Sequence, residues 1–253
     1  MDKNYIKKFL SDIGLRKKDT VYVSINLALV SLEYVNRSKK NLCNTLYNSI
    51  TSTIGEKGNF FTPTYSYSFS SDNDLGIFDR KKTKSKLGIF SNYSLNKKEI
   101  IRSNDPMVSI AGVGPQAKKV LSFTKNKSYG INTFWDKFKR IDNSKILNIG
   151  MGNDWLPFIH QAEYCAKSKY RSDKVFNGFL IDKKIKKKFY WVYYARELND
   201  SRILDTKKIA RKIDNYKFFK QKKVGRFSCK ILSYNKIFST AVKIIKKNPK
   251  ILY

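Results

Sequence analysis

Apolar positions along the chain switch between a helical spacing and continuous strand-length runs, and the switching predicts helices and strands in turn. Tyr5, Phe9, Leu10 and Ile13 fall on one helical stripe that stops at Gly14, a residue suited to the left-handed turn after a helix. TVYVSI (20–25) reads as a strand. Leu42, Leu46, Ile50 and Ile54 recur every four residues, which predicts a second helix closed by Gly55. NFFTPT (59–64) reads as a strand halted by Pro63. From there to about residue 110, Ser, Asn, Asp and Gly dominate, predicting a long functional loop with short helical pieces. The alternation then resumes, with helices over 115–123, 134–141, 158–167 and 202–216 and strands over 145–151 and 225–232. VFNGFLI (175–181) and KFYWVYY (188–194) flank a lysine-rich turn and predict an antiparallel hairpin. The last helix, 235–247, carries Ile237, Phe238, Ala241, Ile244 and Ile245 on one face. Without an internal repeat or flexible linker, this order predicts one α/β domain over residues 1–253, a mixed β-sheet flanked by helices.

Composition narrows the setting. The longest apolar candidates, such as LALVSL (27–32), fall far short of the roughly 20 residues that cross a bilayer. No apolar segment of a secretory signal follows MDKNYIKKFL, so a cytoplasmic, non-spanning protein is expected. Cys43, Cys165 and Cys229 are odd in number and far apart, which fits reduced thiols. With one histidine and no C-x-x-C, no metal site is expected. The 253 residues carry 52 Lys and Arg against 20 Asp and Glu, a net charge of +32. Such a charge suits nucleic acid, an anionic surface or an anionic small molecule. The richness in Lys, Asn, Ile, Tyr and Phe also fits compositional drift, with KKIKKK (183–188) and KQKK (220–223) as hairpin tips or solvated faces.

Phosphate-cradling loops of the G-x-x-x-x-G-K-[ST] and G-x-G-x-x-G kinds are absent, as is a G-x-S-x-G nucleophile elbow. What remains is an ordered series: DTVYVSINL (19–27), TPTYSYSF (62–69), FDRKKTKSKLG (78–88), RSNDPMVSIAGVG (102–114) and ILNIGMGNDWLPFIHQAEY (146–164). In the last of these, His160 and Glu163 stand at i and i+3, on one helix face, where a carboxylate can orient an imidazole. Taken alone, His160 reads more readily as a satisfied core histidine, packed beside the sheet.

In order and spacing these segments resemble the aminoglycoside 3-N-acetyltransferase family over nearly the whole chain. The resemblance implies a CoA-dependent N-acetyltransferase with acetyl-CoA as co-substrate, an amino sugar as the small-molecule acceptor, and no nucleic-acid partner. It implies that His160 takes the proton of the attacking amine while Glu163 supports it; were His160 dispensable, Asp105 would be the next candidate base. It assigns the pantetheine arm of CoA to Ser24, Asn26 and Leu27 after the first strand and to Pro63, Thr64 and Tyr65, largely through backbone groups. Arg102, Ser103 and Ser109 are cofactor candidates because they flank DPMVSIAG, whose small residues let backbone approach a cofactor closely. Thr64, Ser66 and Ser68 also read as an ordinary polar strand edge. Asp79 and Tyr67 are candidates for the acceptor, and Asp79 reads equally as a residue that orders its own loop. Cys165 lies five residues beyond His160, off its helix face, so direct transfer is expected rather than an acyl-enzyme.

The departures bear on the acceptor. Asp105 and Ser24 stand where the resistance enzymes usually carry histidine, and the acidic residue usual after Gly88 is missing from GIFSNYSL (88–95). Fewer acids and a cationic chain suit a polycationic drug poorly. Together with the DPMVS variant, which resembles family members found among polysaccharide-biosynthesis genes, they favour a nucleotide- or lipid-linked amino sugar. The alternatives are a true aminoglycoside-resistance enzyme and a catalytically inactive basic protein that binds polyanions.

Overall fold

A run of buried strands forms the spine of the molecule. The computed structural model describes residues 3–34, 37–70, 76–122, 126–152, 154–197 and 204–253. The first half contains α1 (Lys3–Asp12), β1 (Thr20–Ile25), α2 (Leu27–Ser31), α3 (Lys39–Ile54), β2 (Asn59–Pro63), β3 (Ile77–Asp79), α4 (Ile89–Leu95), β4 (Ile101–Arg102), β5 (Ile110–Val113) and α5 (Ala117–Leu121). The second contains α6 (Phe134–Lys139), β6 (Ser144–Ile149), α7 (Ile159–Ala166), β7 (Arg171–Asp182), β8 (Ile185–Arg196), α8 (Lys207–Asp214), β9 (Phe219–Val224), β10 (Phe227–Ser233) and α9 (Tyr234–Lys247). Strands order as β4-β5-β2-β1-β6-β10-β9 in a mixed sheet, and as β3-β7-β8 in a smaller one.

β1 pairs in parallel with both β2 and β6, so the carboxyl ends of these three strands share one edge. β10 returns antiparallel beside β6. Because side chains alternate along a strand, each buried strand feeds two cores. Tyr22, Phe61, Ile146 and Leu232 face one side with residues of α5 to α9. Val21, Val23, Phe60, Leu147 and Ile149 face the other, against α1 and α3. After β6 the chain reverses at Gly150, with φ +66°. A Cβ there would lie 3.2 Å from the Asn26 carbonyl oxygen, so glycine permits both the turn and the close approach of the segments after β1 and β6.

Several expectations change. Along α1 and the turn that follows it the buried set is Ile6, Phe9, Leu10 and Ile13, whereas Tyr5 is exposed, because the helical step puts Ile6 at the centre of the stripe. The segment 64–110 holds β3, β4 and α4 in addition to loop, residues 71–75 lying outside the described part. KQKK (220–223) is a solvated face rather than a tip: it sits in β9, an edge strand whose lysines are exposed and whose backbone pairs with β10. The helix placed over 202–216 spans Lys207–Asp214, and residues 202–203 lie outside the description, as does Phe123 of the helix placed over 115–123. The hairpin forms, runs longer than expected from Arg171 to Arg196, and turns at Lys183 and Lys184, both with positive φ, as a two-residue hairpin turn requires. It builds a second sheet with β3 rather than joining the main one.

Candidate active site

The segment after β6 leads into α7, and α7 carries the ionisable pair. The helix ends at Lys167 in the left-handed conformation, with its N–H on the Tyr164 carbonyl, and the Ser168 N–H donates to the Glu163 carbonyl at 3.1 Å. This turn swings Tyr170 and Arg171 back to the Glu163 side chain. Glu163 is fully buried; its Oε1 accepts from the Tyr170 hydroxyl at 2.8 Å, and its Oε2 lies 2.9 Å from Arg171 Nε. The same Oε2 is 2.5 Å from His160 Nδ1. Burial alone would raise the carboxyl's pKa. The hydrogen bond and charge of His160, the Arg171 guanidinium and the Tyr170 hydroxyl outweigh burial and hold it below the usual carboxylate range. With Nδ1–H given to the carboxylate, the tautomer left is the one whose Nε2 can accept a proton. The imidazole, 22% exposed, is the accessible end of this array.

Tyr129 packs edge-on against His160, ring centroids 5.6 Å apart, and contacts Tyr193 at 5.7 Å. Its loop is clipped to α7 by Gln161, whose Oε1 accepts from the Gly130 N–H at 2.8 Å. Tyr129, Tyr193, Tyr65 and Tyr67 also surround Asp105 closely enough for its charge to raise their hydroxyl pKa values. Asp105 is buried, and its Oδ1 accepts from the N–H groups of Met107 (2.8 Å) and Val108 (2.9 Å). Burial pushes its pKa up to about 6 against the opposing effect of those bonds, a Ser128 hydroxyl and Arg102. Ser128 in turn accepts from Trp191 Nε1 at 2.7 Å, tying the cluster to the second sheet. The structure thus links His160, Glu163 and Asp105 through a cluster of tyrosines, with the Tyr129 ring on His160 and its hydroxyl within reach of the Asp105 charge.

The residues assigned to CoA divide into two groups. Thr64, Arg102 and Ser109 are committed to one another: Arg102 donates through Nε to Ser109 Oγ (3.0 Å) and through Nη2 to the Thr64 carbonyl (2.7 Å), while Thr64 Oγ1 donates to the Ser109 carbonyl (3.1 Å). Ser103 Oγ accepts from the Ile110 N–H, and Tyr65 shares a 3.1 Å hydrogen bond with Tyr22. Pro63 closes β2 opposite Ile110. These side chains brace two segments, which leaves backbone as their means of meeting a ligand. Leu27 is a core residue against β1, and Asn26 caps α2 through the Leu29 N–H. Ser24 is the exception among the assigned residues, and it is joined by two that the sequence reading did not assign. Ser24 Oγ and Asn148 Oδ1, neighbours in register on β1 and β6, and Trp155 Nε1 in the loop before α7 are buried polar atoms without a hydrogen-bond partner among the described residues.

Asp79 orders its own loop: Oδ1 accepts from the N–H groups of Lys81 (2.8 Å) and Lys82 (2.9 Å). Tyr67 sits at φ +52°, a costly backbone conformation for an aromatic residue, held by its N–H on the Met107 carbonyl. Cys165 accepts from Gln161 Nε2 at 3.7 Å, and burial raises its thiol pKa, the opposite of an activated nucleophile. Tyr129, Gln161, Tyr170, Arg171 and Tyr193 escaped the sequence reading. Of these only Gln161 and the Tyr170–Arg171 pair lie near the His–Glu segment in the chain. Among the described residues no helix is long and apolar enough to cross a membrane, and no three His, Cys, Asp or Glu side chains gather as metal ligands.

The family profile described as aminoglycoside 3-N-acetyltransferase matches residues 27–246. No curated protein sequence matches significantly. Among solved structures, "AAC-VIa bound to Sisomicin" is similar with a TM-score of 0.81 and 19% identity, covering 98% of each chain. "AAC-IIIb binary with CoASH" gives a TM-score of 0.80 at 16% identity, covering 98% of this chain and 97% of that one. The YokD protein from Bacillus subtilis gives 0.78 at 19% identity, covering 98% and 100%.

Proposed function

The chain belongs to the aminoglycoside 3-N-acetyltransferase family and is thus an acyltransferase, and on that premise we propose that it transfers acetyl from acetyl-CoA to the primary amine of an amino sugar carried on a nucleotide or a lipid. The observation that carries the transfer chemistry is the His160–Glu163–Arg171–Tyr170 array. An amine attacking a thioester carbonyl must lose a proton as its N–C bond forms. Nε2 of His160 takes that proton, and the buried carboxylate, already ionised at neutral pH, stabilises the imidazolium. When the C–S bond breaks, the thiolate leaves and the imidazolium can return the proton to it. Arg171 and Tyr170 keep Glu163 fixed, so the array needs little rearrangement during the reaction.

A CoA thioester brings two amide groups along its pantetheine arm. The unpartnered atoms Ser24 Oγ, Asn148 Oδ1 and Trp155 Nε1 supply donors and acceptors at the carboxyl edge of β1 and β6, where ligands of open α/β sheets bind. This fit supports CoA as the co-substrate, as does the CoASH complex of a structural neighbour. For the acceptor, the support is the excess of cations and the state of the two carboxyls by the tyrosines: Asp105 is pushed towards its neutral form, and Glu163 is already committed to His160, Arg171 and Tyr170. A free polycation would need more uncommitted acid than these two supply.

The test is thiol release from acetyl-CoA across free amino sugars, nucleotide-linked amino sugars and aminoglycosides. The expected result is a catalytic efficiency with at least one nucleotide-linked amino sugar about tenfold above any aminoglycoside, a difference of about 1.4 kcal/mol in transition-state binding. Acetylation of aminoglycosides with the linked sugars inert would overturn the acceptor. An absence of CoA binding at millimolar concentration would overturn the enzyme and leave a basic polyanion-binding protein.

A further inference from the structure

A second feature lies behind the segment that carries Asp105. Arg80, Lys81, Lys97, Lys98 and Arg102 line a cavity of about 340 Å³, together with Leu95, Ile100 and Ile101, and no acidic residue lines it. The nearby acids are engaged otherwise. Glu99 turns away to accept from the Tyr47 hydroxyl at 2.8 Å, and Asp79 accepts from backbone N–H groups. Among the described residues only Asp182 forms an ion pair with a lining residue, at 2.7 Å from Arg80. Lys97 is drawn over the rings of Tyr93 and Tyr47 at 4.6 and 5.0 Å, which leaves Lys81 and Lys98 as its exposed cations. Arg102 is 4% exposed; burial pushes its pKa down to about 10, against the pull of Asp105 and Asp79. A cavity that concentrates positive charge with one counter-charge favours a multiply charged anion, since each added negative charge relieves the mutual repulsion of the wall. The volume falls at the lower end of the roughly 300–1,000 Å³ of small-molecule sites.

The cavity is coupled to the candidate active site by covalent and hydrogen-bonded links. Arg102 braces Thr64 and Ser109, and Arg80 Nη1 donates to Asn104 Oδ1 at 3.3 Å, one residue before Asp105. We infer that this cavity binds the phosphate or diphosphate group of a substrate while the reacting part of a substrate sits by His160. The inference rests on the proposed transfer reaction, and two substrates of that reaction can supply the group: acetyl-CoA, or an amino sugar carried on a nucleotide.

The experiment compares the double variant Lys81→Ser/Lys98→Ser with a control, Lys183→Asn/Lys184→Gly, which removes the same charge at the hairpin tip and suits its turn. Pyrophosphate binding is measured by calorimetry at low and near-physiological salt, and circular dichroism with thermal melting checks both folds. The cavity variant should lose about tenfold in pyrophosphate affinity, more at low salt, and the control less than about twofold. Equal losses in both, or no pyrophosphate binding by the parent protein, would show only the general field of a cationic chain and overturn the site. Kinetics then identifies the source. A KM for acetyl-CoA raised about tenfold, with that for S-acetylpantetheine raised far less, assigns the CoA phosphates. A KM raised for the nucleotide-linked amino sugar and far less for the free sugar assigns the acceptor. Pyrophosphate loss with neither KM moved overturns the link to a substrate. Because pyrophosphate binding is read without turnover, it stands or falls apart from the thiol-release test.

Discussion

Replacing Glu163 by Gln separates charge balance from catalysis, because the carboxylate serves both. Its two oxygens meet His160, Arg171 and Tyr170 with no solvent exposure, and the Arg171 side chain is 5% exposed. Removing one partner of a buried ion pair costs about 3–5 kcal/mol, chiefly because the remaining charge stays buried alone. The glutamine oxygen can still accept from Tyr170, and Arg171 keeps its bond to the Tyr194 carbonyl, so the lower end, about 3 kcal/mol, is expected. For a chain of this size that lowers Tm by about 6–12 °C. The sign with pH follows from the carboxyl's depressed pKa: its stabilisation is fully present above the unfolded value near 4.3 and is lost as pH falls through the folded value. The gap between Glu163→Gln and the parent protein should therefore be full at pH 7, begin to narrow only near the unfolded value of about 4.3, and go on closing as pH falls through the depressed folded value. Adding Arg171→Met removes the stranded cation and should return most of the lost stability while leaving turnover low. Thermal melts and thiol release on the single and double variants read the two effects separately. An unchanged Tm for Glu163→Gln at pH 7, or a double variant no more stable than the single, would refute the account of Glu163 as the compensated centre of the array.

His160→Ala should lower turnover about 10²–10⁴-fold while calorimetry shows CoA affinity largely intact, a larger loss than Glu163→Gln causes. Asp105, with its pKa raised to about 6, is protonated in both folded and unfolded chains well below pH 4 and ionised in both well above pH 6, so native stability should fall by about 3 kcal/mol as pH rises across that window. Asp105→Asn should remove this slope in chemical-denaturation curves, and a parallel slope in both proteins would refute it. Asp79→Ala leaves the Lys81 and Lys82 N–H groups without their acceptor and should cost about 1 kcal/mol, read as faster hydrogen exchange over 79–83.

The strands and helices with a strong local signature were legible. β1 and β2 are short apolar runs buried on both faces, and α3 repeats its apolar residues every fourth position, so sequence and burial agree there. β3 and β4 are three and two residues long and exist through partners distant in the chain, Ile77 with Phe179 and Ile101 with Gly112. β9 reads as polar throughout because an edge strand needs only its backbone to pair. At the site, His160 and Glu163 were visible because a helix fixes i and i+3 on one face. Arg171 and Tyr170 were hidden because a non-glycine residue, Lys167, adopts the left-handed turn that folds them back. Tyr129 and Asp105 meet only through tertiary structure, across more than twenty residues of chain.

Cavity size does not locate the chemistry in this molecule; the distribution of acids does. A cavity of about 740 Å³, larger than the cationic one, lies by the carboxyl end of α3 with Glu56, Glu99 and Tyr47 in its wall. It opens near Gly58 and Phe60, at the start of β2, and so at the edge opposite the carboxyl ends that lead to α7. Asp19, also at that edge, is buried and pairs with Lys145 at 2.6 Å while accepting from the Arg16 N–H. At the carboxyl edge the pattern reverses. Glu163 and Asp105 are withdrawn into the protein, one held ionised by His160 and Arg171 and the other pushed towards its neutral form, while unpartnered polar atoms remain for ligands there and the cationic cavity lies beside β4. An anion approaching a chain of net charge +32 is attracted from any side, but the screening length of about 8–10 Å means that only local balance decides where it stays. The few acids of this protein therefore work as selectors: where they neutralise neighbouring lysines they close a face to anions, and where they are absent or buried they leave it open.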